Sequence, residues 1–351
     1  MRRIALPSGV ALPNLVMPIP RPAGWGDAVI DKAGAELWVW IEEFTLCPTQ
    51  ASRRHLERTR PELCAARFFP HAPAQLAAPL AQHMAWSFLA DDQFDDGNAG
   101  RDSARCRAAV DSLTRTLRGE GLENAGPLER AMDDWWRRLA AGRSASWCRD
   151  LQAHMQAWWQ AAVTETADRA QGRMPGIDEY LANRRHSIAL DMFLDLCEVD
   201  ADVDLSEAVR PMPAFLRMRD AAAWNGAFLN DILSLAKEMA SGYHHNAVLV
   251  IQHETKCSLQ EAVDRVGDMG NRVMQDFIQA YDELDEELSA AGADLQVRQD
   301  AAACAERYRD LVRGDFDWHF ENDRYASLDE IQPAGTYVAD LFPHASSTAT
   351  S

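Results

Sequence analysis

A chain of 351 residues with 47% apolar content can bury a sizeable core, and no long polar tract divides it, so one large domain is expected. A formal net charge of -19 argues against nucleic acid or an anionic membrane as a partner, since the densest basic clusters are pairs such as Arg184-Arg185. Seven cysteines without CxxC spacing suit reduced thiols in the cytoplasm better than a disulfide framework or a zinc site.

Residues 1–25 are proline-rich and read as an extended segment; Pro7, Pro13, Pro18, Pro20 and Pro22 interrupt the apolar helix that a signal peptide would need. From 26 to 335 the chain reads as helix after helix. Leu76, Leu80, Met84 and Phe88 recur at helical spacing between Pro73 and Gly97. A further helix starts near Asp178 as N-cap and runs to about Val199, and another spans Pro213 to about Ser241, stopped by Gly242. β-Branched alternation is scarce: "NAVLVIQ" reads as a strand or equally as the start of a helix. No stretch approaches the length of a membrane span, and no fixed period suggests a solenoid. The expected fold class is all-α, with residues 336–351, ending in "SSTATS", as a disordered tail.

"LADDQFDDGN", Leu89 to Asn98, places Asp91, Asp92, Asp95 and Asp96 at the end of an apolar helix. Asp91 and Asp95 share a helical face, while Asp92 is rotated by about 100° and Asp96 lies beside it. Like charges at this spacing repel, and the negative end of the helix dipole adds to the cost, so something cationic should offset it. A solvated acidic helix end is one explanation. An EF-hand is not: with Gly97 as sixth loop residue, Phe94 and Ser103 would occupy ligand positions. Carboxylates on a helix, completed by water and phosphate, are a Mg2+ arrangement, which requires a second ligand set.

"NDILSLAKE" supplies one. Asn230, Ser234 and Glu238 follow each other at intervals of four and stay within about 80° of one another, so they present three hard oxygen ligands in a row. Lys237 joins the same face as a point charge suited to phosphate.

The two motifs together resemble those of the class I terpene synthases of bacterial type, in the same order and with Asp91 and Asn230 separated by 139 residues. "EYLANRR" resembles the segment that carries that family's diphosphate-sensing arginine, here Arg184, and "DWHFENDRY" its C-terminal Arg-Tyr pair, here Arg324 and Tyr325. The resemblance covers roughly residues 25–330. It implies a single-domain antiparallel helical bundle around a central active-site cavity. It also implies that Asp91, Asp92, Asp95, Asn230, Ser234 and Glu238 hold a trinuclear Mg2+ cluster, with Mn2+ as an alternative ion, which grips the diphosphate of a linear isoprenoid. The acidic helix end would then be offset only when Mg2+ and diphosphate arrive, and Asp96 is left without a role.

The implied reaction is ionisation of the isoprenoid diphosphate, release of diphosphate and cyclisation of the carbocation. This is Lewis-acid and electrostatic chemistry and needs no nucleophilic side chain. No GxSxG, HExxH, Walker or GxGxxG motif offers another engine, and the adjacent His244 and His245 point about 100° apart on a helix. Placement relative to the motifs nominates Phe88, Phe193 and Trp318 as cavity aromatics. Where the family often breaks the helix behind the sensor arginine with a small residue, this chain has Ser187 and Ile188 and no glycine.

The expected substrate is farnesyl diphosphate and the product a sesquiterpene hydrocarbon or alcohol, with a diterpene synthase acting on geranylgeranyl diphosphate as the first alternative. An isoprenyl diphosphate synthase would carry a second Asp-rich motif, and a class II cyclase a DxDD motif that "DADVDL" does not match. A non-catalytic protein that binds isoprenoid diphosphate is the remaining alternative. A homodimer is a common state in the family.

Overall fold

The computed structural model describes residues 4–325 and 337–342. Thirteen α-helices and no strand occur among them: α1 Asp27–Glu43, α2 Gln50–Thr59, α3 Pro61–Phe68, α4 Ala77–Asp95, α5 Ser103–Leu117, α6 Pro127–Leu139, α7 Ala145–Gln171, α8 Ile177–Ser187, α9 Leu190–Asp200, α10 Pro213–Ser241, α11 Ala247–Thr255, α12 Leu259–Ala290 and α13 Leu295–Glu321. The all-α expectation holds, and "NAVLVIQ" resolves as the start of α11, where the Asn246 side chain accepts from Val248 N and caps the helix.

Local sequence explains where the long helices begin and end. Ser258 and Glu261 form a capping box at the start of α12, and Asp294 accepts from Val297 N at the start of α13. α10 starts with Pro213 in its first turn and ends where Gly242 takes a left-handed conformation. α4 is buried on nearly all sides from Ala77 to Ala90, as befits a helix at the centre of the bundle. α13 lies close against α3 at Gly314, where a Cβ would stand only 2.0 Å from the Arg67 carbonyl oxygen.

One helix departs from expectation. The stretch from Asp178 to Val199 is not continuous: α8 stops at Ser187, Ala189 adopts φ 62°, and α9 begins at Leu190. Only glycine populates that region freely, so no residue here marks the break, although the family resemblance points to one behind Arg184.

Residues 4–26 contain no helix and lie along α12 and α13. Ala11 N donates to Gln260 and Val16 N to Asn271, Arg313 donates to the Ile19 carbonyl, and Arg21 pairs with Asp317. At the other end, the disordered tail expected from residue 336 does not hold over 337–342. Tyr337, Leu341 and Phe342 are buried, and their apolar surface supplies the reason to dock. Residues 343–351 lie outside the described residues.

Candidate active site

The last turns of α4 and the C-terminal part of α10 face each other across a cavity with about 1080 Å³ of empty space, counted to its open mouth. α3, α7, α8, α9 and α13 complete its wall. Asp91 and Asp95 enter from α4; Asn230, Ser234, Lys237 and Glu238 enter from α10. Arg184, Ser187, Ile188, Phe193, Phe88, Trp318, Arg324 and Tyr325 also line it, so the cavity gathers every residue singled out in the sequence except Asp92.

Asp92 is turned out of the cavity. Its carboxylate stands 3.1 Å from His55 Nε2 and 3.6 Å from Arg324, as its 100° rotation from Asp91 requires. Burial opposes its charge, but His55 and Arg324 outweigh burial and hold the carboxyl well below the usual carboxylate range. Its expected place among the metal ligands is therefore not the place it takes here.

Asp91 and Asp95 behave oppositely. Burial, partly countered by Arg324, pushes Asp91 up to about 6, although 39% of its side chain stays exposed. Burial and the neighbouring Asp91 raise Asp95 well above the usual range, against the opposing pull of Arg169. Glu238 is likewise lifted to about 7, by burial first and then by the buried charge of Asp231. The expectation that only arriving metal and diphosphate offset this negative charge needs correction. Arg324 lies 3.5 Å from Asp91, Arg169 3.8 Å from Asp95, and Lys237 3.9 Å from Asp96.

On α10, Asn230 Oδ1 accepts from Arg184 Nη2 at 2.8 Å, and its Nδ2 donates to the Tyr325 hydroxyl at 3.2 Å. Arg184, Tyr325 and the α10 motif thus meet through one amide. Arg184 is also fixed by Asp231, 2.8 Å away and fully buried. Asp231 Oδ2 accepts in turn from the Tyr180 hydroxyl and from Ala247 N, which ties the motif helix to α8 and α11.

Aromatic side chains make up another part of the lining. Phe88 stacks on Trp318 with centroids 5.2 Å apart, and Phe193 meets Phe68 edge-on at 5.5 Å. Arg324 stands over the Phe88 ring at 5.4 Å. The helix break places Ser187, Ile188 and Ala189 together on the wall beside Arg184.

Several site residues carry no sequence signal. Arg169 donates from Nη1 to the carbonyls of Phe94, Asp95 and Gly100 at 3.1, 2.7 and 2.7 Å, capping the acidic end of α4. Tyr243 lies 5.0 Å beneath that guanidinium and donates its hydroxyl to Glu165, which also lines the cavity. Phe68, Trp158 and Ala189 complete the set that motif spacing missed.

The donor set fits a hard divalent cation. Ser234 Oγ is buried without a well-formed hydrogen bond among the described residues. The raised carboxyls of Asp91, Asp95 and Glu238 are the state a nearby cation would reverse. Among the described residues no three His, Cys, Asp or Glu side chains are gathered to hold an ion, so the α10 side depends on its Asn and Ser oxygens.

Comparison with known proteins agrees with this geometry. Residues 82–276 match the family model "Terpene synthase family 2, C-terminal metal binding". The (2Z,6E)-hedycaryol synthase of Kitasatospora setae is 31% identical over 92% of this chain and 94% of its own length. The (+)-T-muurolol synthase of Roseiflexus castenholzii, described as (2E,6E)-farnesyl diphosphate cyclizing, is 34% identical over 71% of this chain and 76% of its own. A solved hedycaryol synthase in complex with HEPES superposes with a TM-score of 0.78 at 29% identity, covering 89% of this chain and 99% of that one. A helical bundle around a cavity lined by acidic and aromatic residues and relatives matched along nearly the whole chain lead to one conclusion: this protein belongs to the terpene synthase family, as an enzyme of class I.

Proposed function

We propose that the protein ionises farnesyl diphosphate with the help of Mg2+, releases diphosphate and cyclises the resulting carbocation to a sesquiterpene hydrocarbon or alcohol. The observation that carries this reading is that one cavity brings carboxylates, hard oxygen donors and cationic groups together with aromatic side chains. Its lining holds Asp91, Asp95, Asn230, Ser234 and Glu238 together with Arg184, Lys237 and Arg324, and the aromatic rings of Phe88, Phe193, Trp318 and Phe68. Relatives that carry sesquiterpene names support the chain length.

Mg2+, when bound by Asp91 and Asp95 on one side and Asn230, Ser234 and Glu238 on the other, supplies Lewis acidity toward the departing diphosphate. Arg184 and Arg324 offer forked donors to its oxygens, and Lys237 a point charge, so charge developing on the leaving group meets fixed positive groups. Tyr325 holds Asn230 in register through its hydroxyl. The aromatic faces contribute about 0.5–2 kcal/mol each toward a carbocation. The apolar walls keep water from it. Asn230 and Arg184 are bonded to each other in the described state, so a cation on Asn230 Oδ1 and a diphosphate on Arg184 would lie side by side.

The test is incubation with geranyl, farnesyl and geranylgeranyl diphosphate, with and without Mg2+, followed by gas chromatography of a pentane extract. A terpene product from the farnesyl substrate, dependent on Mg2+, is expected. Product from the geranylgeranyl substrate alone would reassign the chain length, and no product from any of the three would end the synthase reading.

A further inference from the structure

The turn of α4 that carries Asp91 and Asp95 has a second face, and the C-terminal segment 337–342 is fastened to it. Gln93 lies between the cavity-facing aspartates, and its side chain bonds that segment twice. Nε2 donates to the Ala339 carbonyl at 2.8 Å, and Oε1 accepts from Leu341 N at 3.2 Å. This amide pairs with the segment as a neighbouring strand would. Three residues on, Asp96 accepts from the Tyr337 hydroxyl, and the Tyr337 ring stacks on His55 with centroids 3.9 Å apart. Contact is close enough that a Cβ on Gly97 would fall 3.1 Å from Val338 and 2.7 Å from the Gln93 carbonyl oxygen. Gln93, Asp96 and Tyr337 are all buried.

A helix end is where backbone hydrogen bonds run out and fraying begins. Here the last turn, whose carbonyls Arg169 caps, carries two mutually repelling carboxylates whose direction matters. We propose that segment 337–342 is a positioning strap. By holding Gln93 and Asp96 on the outer face of the turn, it fixes Asp91 and Asp95 toward the cavity. Gln93, Asp96 and Tyr337 are therefore positioning residues for the Mg2+ side of the site, and Asp96, the aspartate outside the motif, is the anchor of the strap. This rests on the synthase reading above.

The test compares wild type with Gln93→Leu and Tyr337→Leu in the full chain. Two readouts are taken across a Mg2+ series: the melting-temperature shift produced by Mg2+ plus inorganic diphosphate, and diphosphate release from farnesyl diphosphate. Both variants should need at least fivefold more Mg2+ for half-maximal response in each readout, with KM for the substrate at saturating Mg2+ and the product profile unchanged. Tyr337→Phe, which keeps the ring on His55, should show a smaller increase of about twofold. If the leucine variants fail to fold by circular dichroism, Tyr337→Phe carries the test. A Mg2+ dependence equal to wild type would overturn the strap, whatever happens to melting temperature or kcat. A wild-type chain with neither Mg2+-dependent shift nor turnover would overturn the synthase reading and the strap with it, whereas wild-type turnover with unaltered variants overturns the strap alone.

Discussion

Arg169 shows what pattern reading cannot reach. It stands far from either motif in sequence, yet it caps two carbonyls at the end of α4, bonds the Gly100 carbonyl beyond it and faces Asp95. No local spacing announces such a residue, because its partners lie 69 to 75 positions away. Arg169→Met should lower stability by about 1.5–3 kcal/mol, measured by urea denaturation. The motif residues were legible for the opposite reason: Asn230, Ser234 and Glu238 follow one helical face, so their shared direction is a property of spacing alone. Asn230→Ala should cut turnover by about 100-fold or more with a circular dichroism spectrum near wild type. Phe193→Ala should alter the product mixture more than the rate of diphosphate release, since Phe193 lines the cavity with an aromatic ring and offers no group to metal or diphosphate. Away from the site, Asp200 is pushed up from 3.8 to about 8 by burial and then by Asp310. A carboxyl raised in the fold costs stability progressively as pH climbs from 3.8 through 8, because the unfolded chain ionises first. The advantage of Asp200→Asn in melting experiments should therefore be larger at pH 8 than at pH 5, growing by up to about 1.4 kcal/mol per pH unit.

At the scale of elements, the α8–α9 break is the informative feature. A continuous helix from Asp178 to Val199 was the natural reading of the apolar periodicity, and Ser187 and Ile188 gave no warning. The structure turns the chain at Ala189, in a conformation that costs a non-glycine residue about 1 kcal/mol, and so brings three consecutive residues to the cavity wall beside Arg184. Tertiary packing overrode local preference at the site, where such conflicts concentrate. Ala189→Gly should thus be neutral or stabilising by up to about 1 kcal/mol in thermal unfolding, the reverse of the usual effect of glycine near a helix. Helices with sharp punctuation fared better. Pro213 and Gly242 bound α10 as read from the chain, and the Leu76 to Phe88 periodicity lies along the helical course through α4.

The whole molecule is a frame that brings α4 and α10 face to face across one cavity. Its fold class was evident from helical periodicity, but the docking of residues 337–342 on α4 was not, since a short segment with a polar sequence beyond it has no local pattern to reveal a partner. The same arrangement would let a chain with net charge -19 receive the proposed anionic substrate, because Arg184, Arg324 and Lys237 all line the cavity. The most direct measurement is diphosphate release from farnesyl diphosphate by wild type and Asn230→Ala, each with Mg2+ and with excess chelator. Mg2+-dependent release by wild type, lost on chelation and in the variant, is the predicted result. Release that persists in chelator, or that Asn230→Ala leaves intact, would contradict the account of the site.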